Sequence, residues 1–245
     1  MSRSRKLTAL AYGAACHTLW SAAIALMAVS LFGGMQSGVG PLRGWAGEAW
    51  NLLLVAQFPV VHSFLLSRPG RRVLRALAPR GLGDDLSSTT YAILASLQLI
   101  AVFGLWSPSG HVWWRPEGLA LVISSALFGV SWLFLAESMR EAGLGVQAGY
   151  LGWTSVFLGR TPRYPRFRET GLFRFLRQPT YLAFALVVWT APTWSPDRLF
   201  LAIAWSLYCY FGPRLKEARY LAHYGEDFRR YQDAVSYWVP RRRDA

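Results

Sequence analysis

Apolar residues in this chain come in long blocks rather than at alternating positions. Four such blocks cover residues 7–32, 49–66, 89–106 and 119–136. Each is close to the roughly 20 residues that a helix needs to cross hydrocarbon, so the pattern predicts four transmembrane helices. A long polar stretch, residues 137–177, follows. Two shorter apolar runs then occupy 181–193 and 199–212. Straight helices of those lengths rise only about 20 Å, against a hydrocarbon core of about 30 Å. They are expected to form a short-helix hairpin that either borrows flanking residues or dips into the bilayer. Pro192 and Pro196 lie between the two runs, ending one helix and starting the next. Beyond the hairpin, Tyr220, Leu221, Tyr224, Phe228 and Tyr231 recur at spacings of three and four, which predicts an amphipathic helix. The fold class is thus all-α integral membrane: four transmembrane helices, a C-terminal hairpin giving five to six membrane segments, and a cytoplasmic C-terminal amphipathic helix. Residues 1–137 form the expected N-terminal scaffold and 138–245 the expected C-terminal module.

Composition supports the membrane assignment. Charged residues are 16% of the chain and apolar ones 53%, whereas soluble domains carry about 25% charged residues. The net charge of +13 does not indicate nucleic acid, because the basic residues fall in short clusters between apolar runs, the pattern of membrane loops. Arg3, Arg5 and Lys6 precede the first run. Arg68, Arg71, Arg72, Arg75 and Arg80 follow the second. Arg160, Arg163, Arg166, Arg168, Arg174 and Arg177 follow the fourth, and Arg241–Arg243 end the chain. The opposite connections hold only Arg43, Arg115 and Arg198. Both termini and the 137–177 segment are expected in the cytoplasm, in a bacterial-type inner (plasma) membrane. The first apolar run is longer than the roughly 7–15 residues of a signal-peptide core, so it is expected to remain as a span. Cys16 and Cys209 each lie in an apolar run without a nearby Cys or His at metal spacing, so they read as small buried hydrophobes and no metal site is expected.

The ionisable groups beside the hairpin are the candidates for chemistry, since charges near apolar runs are kept for function or anchoring. Glu217 closes the second short run beside Lys216 and Arg214. Arg174 and Arg177 stand three apart just before the first run, a spacing that shares one face on a helix. They can pair with Glu217 across the hairpin mouth, hold an anionic ligand, or anchor the hairpin to the cytoplasmic surface. Gln178 and Pro179 begin the first short helix, with Tyr181 near the interface. The aromatic face from Tyr220 to Tyr231 can pack in a core, dock on the membrane or form a lid. His62 and His17 lie within apolar runs, and His111 and His223 are expected to be exposed. A histidine at the position of His62 can be a satisfied polar group between helices, a proton relay or a haem ligand.

The run GLFRFLRQPTYL, the two short apolar helices, and KEARY followed by YGEDFRRY resemble the C-terminal module of integral-membrane methyltransferases. That group includes the isoprenylcysteine carboxyl methyltransferases and phospholipid methyltransferases. This likeness covers residues 168–240. Further upstream, VVHSFLLSRP, SSTTYAILASL and YPRFRETGL resemble the branch of membrane methanethiol S-methyltransferases and NnrU-type proteins. The resemblance implies S-adenosylmethionine bound at the cytoplasmic mouth of the hairpin and an acceptor that enters from the bilayer. Residue by residue, Gly171, Arg174, Arg177, Pro179 and Tyr181 match the first motif, Glu217 the second Glu of an acidic pair, and Gly225, Phe228 and Tyr231 the closing segment. The implied cofactor-binding set is Gly171, Arg174, Arg177, Gln178, Pro179, Tyr181, Glu217, Tyr224 and Tyr231, with Arg177, Gln178, Tyr181 and Glu217 as the catalytic set. Two positions depart from the family pattern: Gln178 stands where the family has His, and Lys216 where it has the first Glu.

Methyl transfer from a sulfonium is an in-line displacement in which positioning does much of the work. A thiol reacts as its thiolate and a carboxylate is already ionised, so a site with glutamine in place of histidine favours one of these acceptors, small or lipophilic. Two other classes remain open: a haem-binding NnrU or carotenoid-isomerase-like protein using His62, and a non-catalytic member that has lost the donor site.

Overall fold

The structure, a computed structural model, describes residues 3–239. Pro240 and the basic cluster Arg241–Arg243 lie outside the described residues. The chain forms α1 (Arg3–Phe32), α2 (Gly44–Leu65), α3 (Arg68–Leu77), α4 (Gly83–Gly104), α5 (Gly118–Glu141), α6 (Leu144–Gln147), α7 (Tyr150–Leu158), α8 (Pro179–Thr190), α9 (Pro196–Tyr224) and α10 (Glu226–Ala234), with a 3-10 turn at Gly171–Arg174 before α8. No β-strand forms among the described residues. An isolated antiparallel bridge joins Trp114 to Trp194.

The apolar blocks become long helices, as their length requires. By length and composition, α1, α4 and α5 are each able to cross a membrane. A fourth span is added if α2 and α3 are one broken element; they meet at 93°. The basic stretch after α2 is therefore helical. Ser67 caps α3 by accepting from Gly70 N at 3.2 Å. Leu119, Val122 and Leu133 on α5 face outward, as side chains bathed in lipid do. The chain is an integral membrane protein.

Lipid tails are as apolar as leucine, so helices in a bilayer associate through close packing of small residues. The contact of α1, α4 and α7 follows that rule. A Cβ on Gly13 of α1 would lie 2.6 Å from the Trp153 ring of α7, and one on Gly152 would lie 2.6 Å from Thr89 Oγ1 of α4. Trp153 Nε1 donates to His17 Nε2 at 3.0 Å, so His17 is a satisfied polar group between helices. Cys16 is buried here and Cys209 on α9; neither is in a disulfide. The apolar helix α7 lies inside the stretch that the pattern marks as polar, because nine residues of helix are outweighed by their arginine-rich flanks. It packs residues of the expected C-terminal module into the expected scaffold.

The hairpin consists of α8, packed on α5, and α9, which is 29 residues long. The α9 helix continues well past the apolar run, through Pro213 to Tyr224. One residue on from the carbonyl that Pro213 leaves without its helical donor, the Tyr237 hydroxyl donates to Tyr210 O at 2.8 Å. The outer end of the hairpin is locked. Arg198, fully buried, donates to Val188 O, Thr193 O and Trp189 O at 3.1, 2.7 and 2.6 Å, and lies 3.9 Å from the Trp194 ring centroid. Asp197 accepts from Trp106 Nε1 at 2.9 Å, from Gln36 Nε2 at 2.8 Å and from the Ser109 hydroxyl. The hairpin apex is thereby tied to the connections after α1 and α4.

The expected single amphipathic helix is two helices. Gly225, at φ 58° and ψ −130°, breaks it in a backbone region that favours glycine. The end of α9 and α10 then fold together around Phe167, whose ring centroid lies 4.9 Å from that of Tyr224 and 5.1 Å from that of Phe228.

Candidate active site

The inner mouth of the hairpin, opposite its apex, gathers residues from the link before α8, from α9 and from α10. Gln178 immediately precedes α8, whose first helical residue is Pro179, a position that suits proline's fixed φ. This places Gln178 inward, only 2% exposed. Gln178 Nε2 donates to Glu217 Oε1 at 2.6 Å, and Gln232 Nε2 donates to Glu217 Oε2 at 2.8 Å. Arg177 Nε stands 3.1 Å from Glu217 Oε1, yet the geometry is poor for a hydrogen bond and this buried donor has no acceptor. Arg177 Nη1 donates to Gln232 O at 2.6 Å, and the Arg177 main-chain N donates to Ser236 O at 2.9 Å. One carboxylate, one guanidinium and two amides thus form a compact buried group.

Beside it lies a cage of aromatic faces. Lys216 Nζ lies 5.6 to 5.9 Å from the ring centroids of Phe173, Tyr181 and Tyr220, and donates to Gln178 Oε1 at 3.3 Å. Aromatic faces attract cations through their quadrupole, so the cage already holds a positive charge. The two residues that depart from the family pattern, Gln178 and Lys216, therefore contact one another.

Arg177, Gln178, Tyr181, Pro179 and Glu217 come together as the sequence suggests. Other expected residues stand elsewhere. The 3-10 turn ends at Arg174, so Arg174 and Arg177 do not share a helical face. Arg174 is exposed and lines a surface pocket of about 320 Å³ with Arg166, Glu169, Asp227, Arg230 and Tyr231. Gly171, at φ 62°, makes room for a carboxylate: a Cβ there would lie 2.1 Å from Glu141 Oε1, and Glu141 Oε2 accepts from Leu172 N at 2.6 Å. Tyr224 packs on Phe167. Tyr231 donates its hydroxyl to Phe173 O at 2.8 Å, and burial pushes that hydroxyl well above its usual range. Asp227 is held below the usual carboxylate range by its hydrogen bonds to Arg230 and Arg166. His111 and His223 are exposed, and His62 stands deeper, between α2 and α4.

Gln232 and Phe173 escape sequence reasoning. Gln232 lies in an ordinary polar run, and only the fold of α10 onto the hairpin brings it to Glu217.

No protein-family model and no solved structure matches the chain. Curated relatives do. The chain is 29% identical to methanethiol S-methyltransferase 1 of Bradyrhizobium diazoefficiens over 195 residues, which is 79% of this chain and 67% of that protein. It is 27% identical to a methanethiol S-methyltransferase of a Pseudomonas species over 253 residues, covering 98% of this chain and 92% of the relative. These likenesses support the integral-membrane methyltransferase-like superfamily as the group that this chain resembles. The superfamily match also reaches Nurim of Rattus norvegicus, at 29% identity over 204 residues, 73% of this chain and 74% of that one. The alignment to the Pseudomonas relative takes in both scaffold and hairpin, so the superfamily likeness is not confined to the residues around Glu217.

The donor set fits the cofactor that the superfamily implies. Arg177 has a buried N–H without an acceptor and Glu217 offers a carboxylate, while the aromatic cage, of a kind that suits a cation, is occupied by Lys216.

Proposed function

We propose that this protein is an S-adenosylmethionine-dependent methyltransferase that methylates a small thiol, with its donor site at the cytoplasmic mouth of the α8–α9 hairpin. The observation that carries this reading is the near full-length similarity to a protein named methanethiol S-methyltransferase, joined to the buried Arg177–Gln178–Glu217 group. S-adenosylmethionine, when bound, supplies an activated methyl group on a sulfonium. In this reading Glu217 and Gln178 hold its ammonium and hydroxyl groups, Arg177 takes its carboxylate through a charge-assisted contact, and Tyr181, Phe173 and Tyr220 face the positive sulfur. Residues 138–245 supply these groups and residues 1–137 support them. In this reading the mouth and both termini lie on the cytoplasmic side of the inner membrane, which the basic clusters at Arg68–Arg80 and Arg160–Arg177 support. The acceptor enters from the bilayer.

Calorimetry with the purified protein tests this. S-adenosylmethionine is expected to bind wild type, and Glu217→Ala is expected to weaken binding tenfold or more, about 1.4 kcal/mol. Absence of binding at millimolar cofactor, or equal binding by the variant, rejects the site. A second reading, a member without catalysis, draws on Lys216, whose tethered ammonium stands in the cage where a cofactor cation would go.

A further inference from the structure

Inboard of Gln178 lies a second group of polar side chains that the proposed donor site does not use. His62 on α2 stacks on Phe58, with ring centroids 4.9 Å apart and planes at 27°. Its Nε2 meets the Tyr91 hydroxyl of α4 at 2.5 Å. Its Nδ1 is buried and has no partner. Phe58 also meets Tyr208 of α9 edge-on, and Tyr208 meets Tyr181 of α8, each with ring centroids 6.2 Å apart. Tyr181 in turn forms one wall of the cage that holds Lys216. The chain of contacts therefore runs from His62 through the tyrosines to the proposed donor site.

The contrast with His17 sets His62 apart. Both are histidines inside apolar helices. His17 takes the Trp153 N–H as its partner, as a structural histidine does. His62 leaves one buried ring nitrogen unpaired, which costs about 1–3 kcal/mol unless something uses it. The charged and titratable groups around it are Tyr91 from α4, Tyr208 and Arg219 from α9, and Tyr181 from α8; the Arg219 charge acts on all four aromatic groups. There is no carboxylate among them. A site with one neutral base and one distant fixed cation favours a small acid that ionises to an anion.

We propose that His62 Nδ1 takes the proton of the thiol acceptor, and that Tyr91 is the positioning residue that accepts from His62 Nε2–H and so keeps the Nδ1 lone pair free. This rests on the thiol-methylation reading above and goes further, because it places the acceptor and supplies the base that Gln178 cannot. In the step, the S–H bond breaks and its electron pair stays on sulfur. The proton forms a bond with the Nδ1 lone pair, giving an imidazolium hydrogen-bonded through Nε2 to Tyr91. Bound S-adenosylmethionine would supply the methyl group to this thiolate, the reactive form, its own sulfur keeping the pair from the broken C–S bond. The thioether product is neutral and His62 releases its proton to solvent. The Arg219 charge opposes the imidazolium and favours the thiolate, so the proton is held on Nδ1 only while the thiolate lies beside it.

The test uses the full chain in nanodiscs with isotope-labelled methanethiol as the probe, whose methyl NMR shift reports whether its sulfur is ionised. With no cofactor present, wild type is expected to hold bound thiolate at neutral pH, and His62→Gln is expected to lose it at least tenfold. Methyl transfer by His62→Gln should fall at least tenfold at neutral pH and recover as rising pH supplies thiolate from solution, with S-adenosylmethionine affinity within twofold of wild type. If the variant keeps both the bound thiolate and the wild-type pH profile while wild type transfers methyl groups, the role of His62 is overturned and the methyltransferase reading stands. If wild type binds no S-adenosylmethionine yet forms thiolate in a His62-dependent way, the methyltransferase reading falls and the thiol site remains. Should His62→Gln not be recovered from membranes, Tyr91→Phe serves: a threefold or greater loss of bound thiolate is expected, and an unchanged level overturns the proposal.

Discussion

The two ends of the α8–α9 hairpin carry the same pair of residue types, one acid and one arginine, and use them in opposite ways. At the outer end Arg198 directs its guanidinium to three main-chain carbonyls and a tryptophan face, while Asp197 ties down the connections after α1 and α4. Main-chain atoms do not exchange, so this end is a lock. At the inner end Glu217 accepts from the side chains of Gln178 and Gln232, and Arg177 keeps a buried N–H unmatched. Side chains on separate segments can trade such bonds for bonds to a ligand. Full matching, of Arg198 by backbone carbonyls and of Asp197 by three side-chain donors, marks the structural end, and incomplete matching marks the candidate site.

The largest effect expected from this comparison is at the lock. Arg198→Met leaves three buried carbonyls without donors, each costing about 1–3 kcal/mol. A loss of about 3 kcal/mol or more is expected, seen as a sharp fall in unfolding temperature in detergent. A variant as stable as wild type would break the contrast. A smaller effect, on binding rather than folding, is expected at the inner end. Lys216→Met removes the tethered cation from the aromatic cage, so S-adenosylmethionine affinity is expected to rise several-fold in calorimetry; a fall would assign Lys216 to holding the cofactor. The smallest effect belongs to Asp227, partly exposed beside Arg166 and Arg230. Its carboxyl is held below its ordinary value, so its contribution to anchoring α10 is present above the unfolded value of about 3.9 and is lost as pH falls through the lower folded value. Asp227→Asn is expected to unfold slightly earlier than wild type at neutral pH and to converge with it in strong acid.

The long helices were legible because lipid imposes length and apolarity on whatever crosses it. Glu217 and Arg177 were legible because charge beside apolar runs stands out, whereas Gln178, Pro179 and Tyr181 entered the candidate set through the resemblance of GLFRFLRQPTYL. What the pattern hid has physical reasons. The α7 helix is short, and a window that includes Arg160 and Arg163 averages it away. A proline usually ends a helix, yet α9 passes Pro213 with the Tyr237 hydroxyl serving its neighbouring turn. Spacing of three and four from Tyr220 to Tyr231 fits one helix only if Gly225 stays helical, and its positive φ shows that it does not. Arg174 shares a helical face with Arg177 only on a continuous helix, and the turn stops between them. Gln232 has no signal of its own, since its role arises from the fold of α10.

The notch at Gly13, filled by the ring of Trp153, bears on how the protein is made. His17 and its partner Trp153 are 136 residues apart in the chain. At roughly 5–20 residues per second, a ribosome reaches that tryptophan on the order of ten seconds after it has made α1. For that interval the first helix stands in the membrane with an open groove and an imidazole that has no protein partner, and a chain cut short before α7 would keep both for its lifetime.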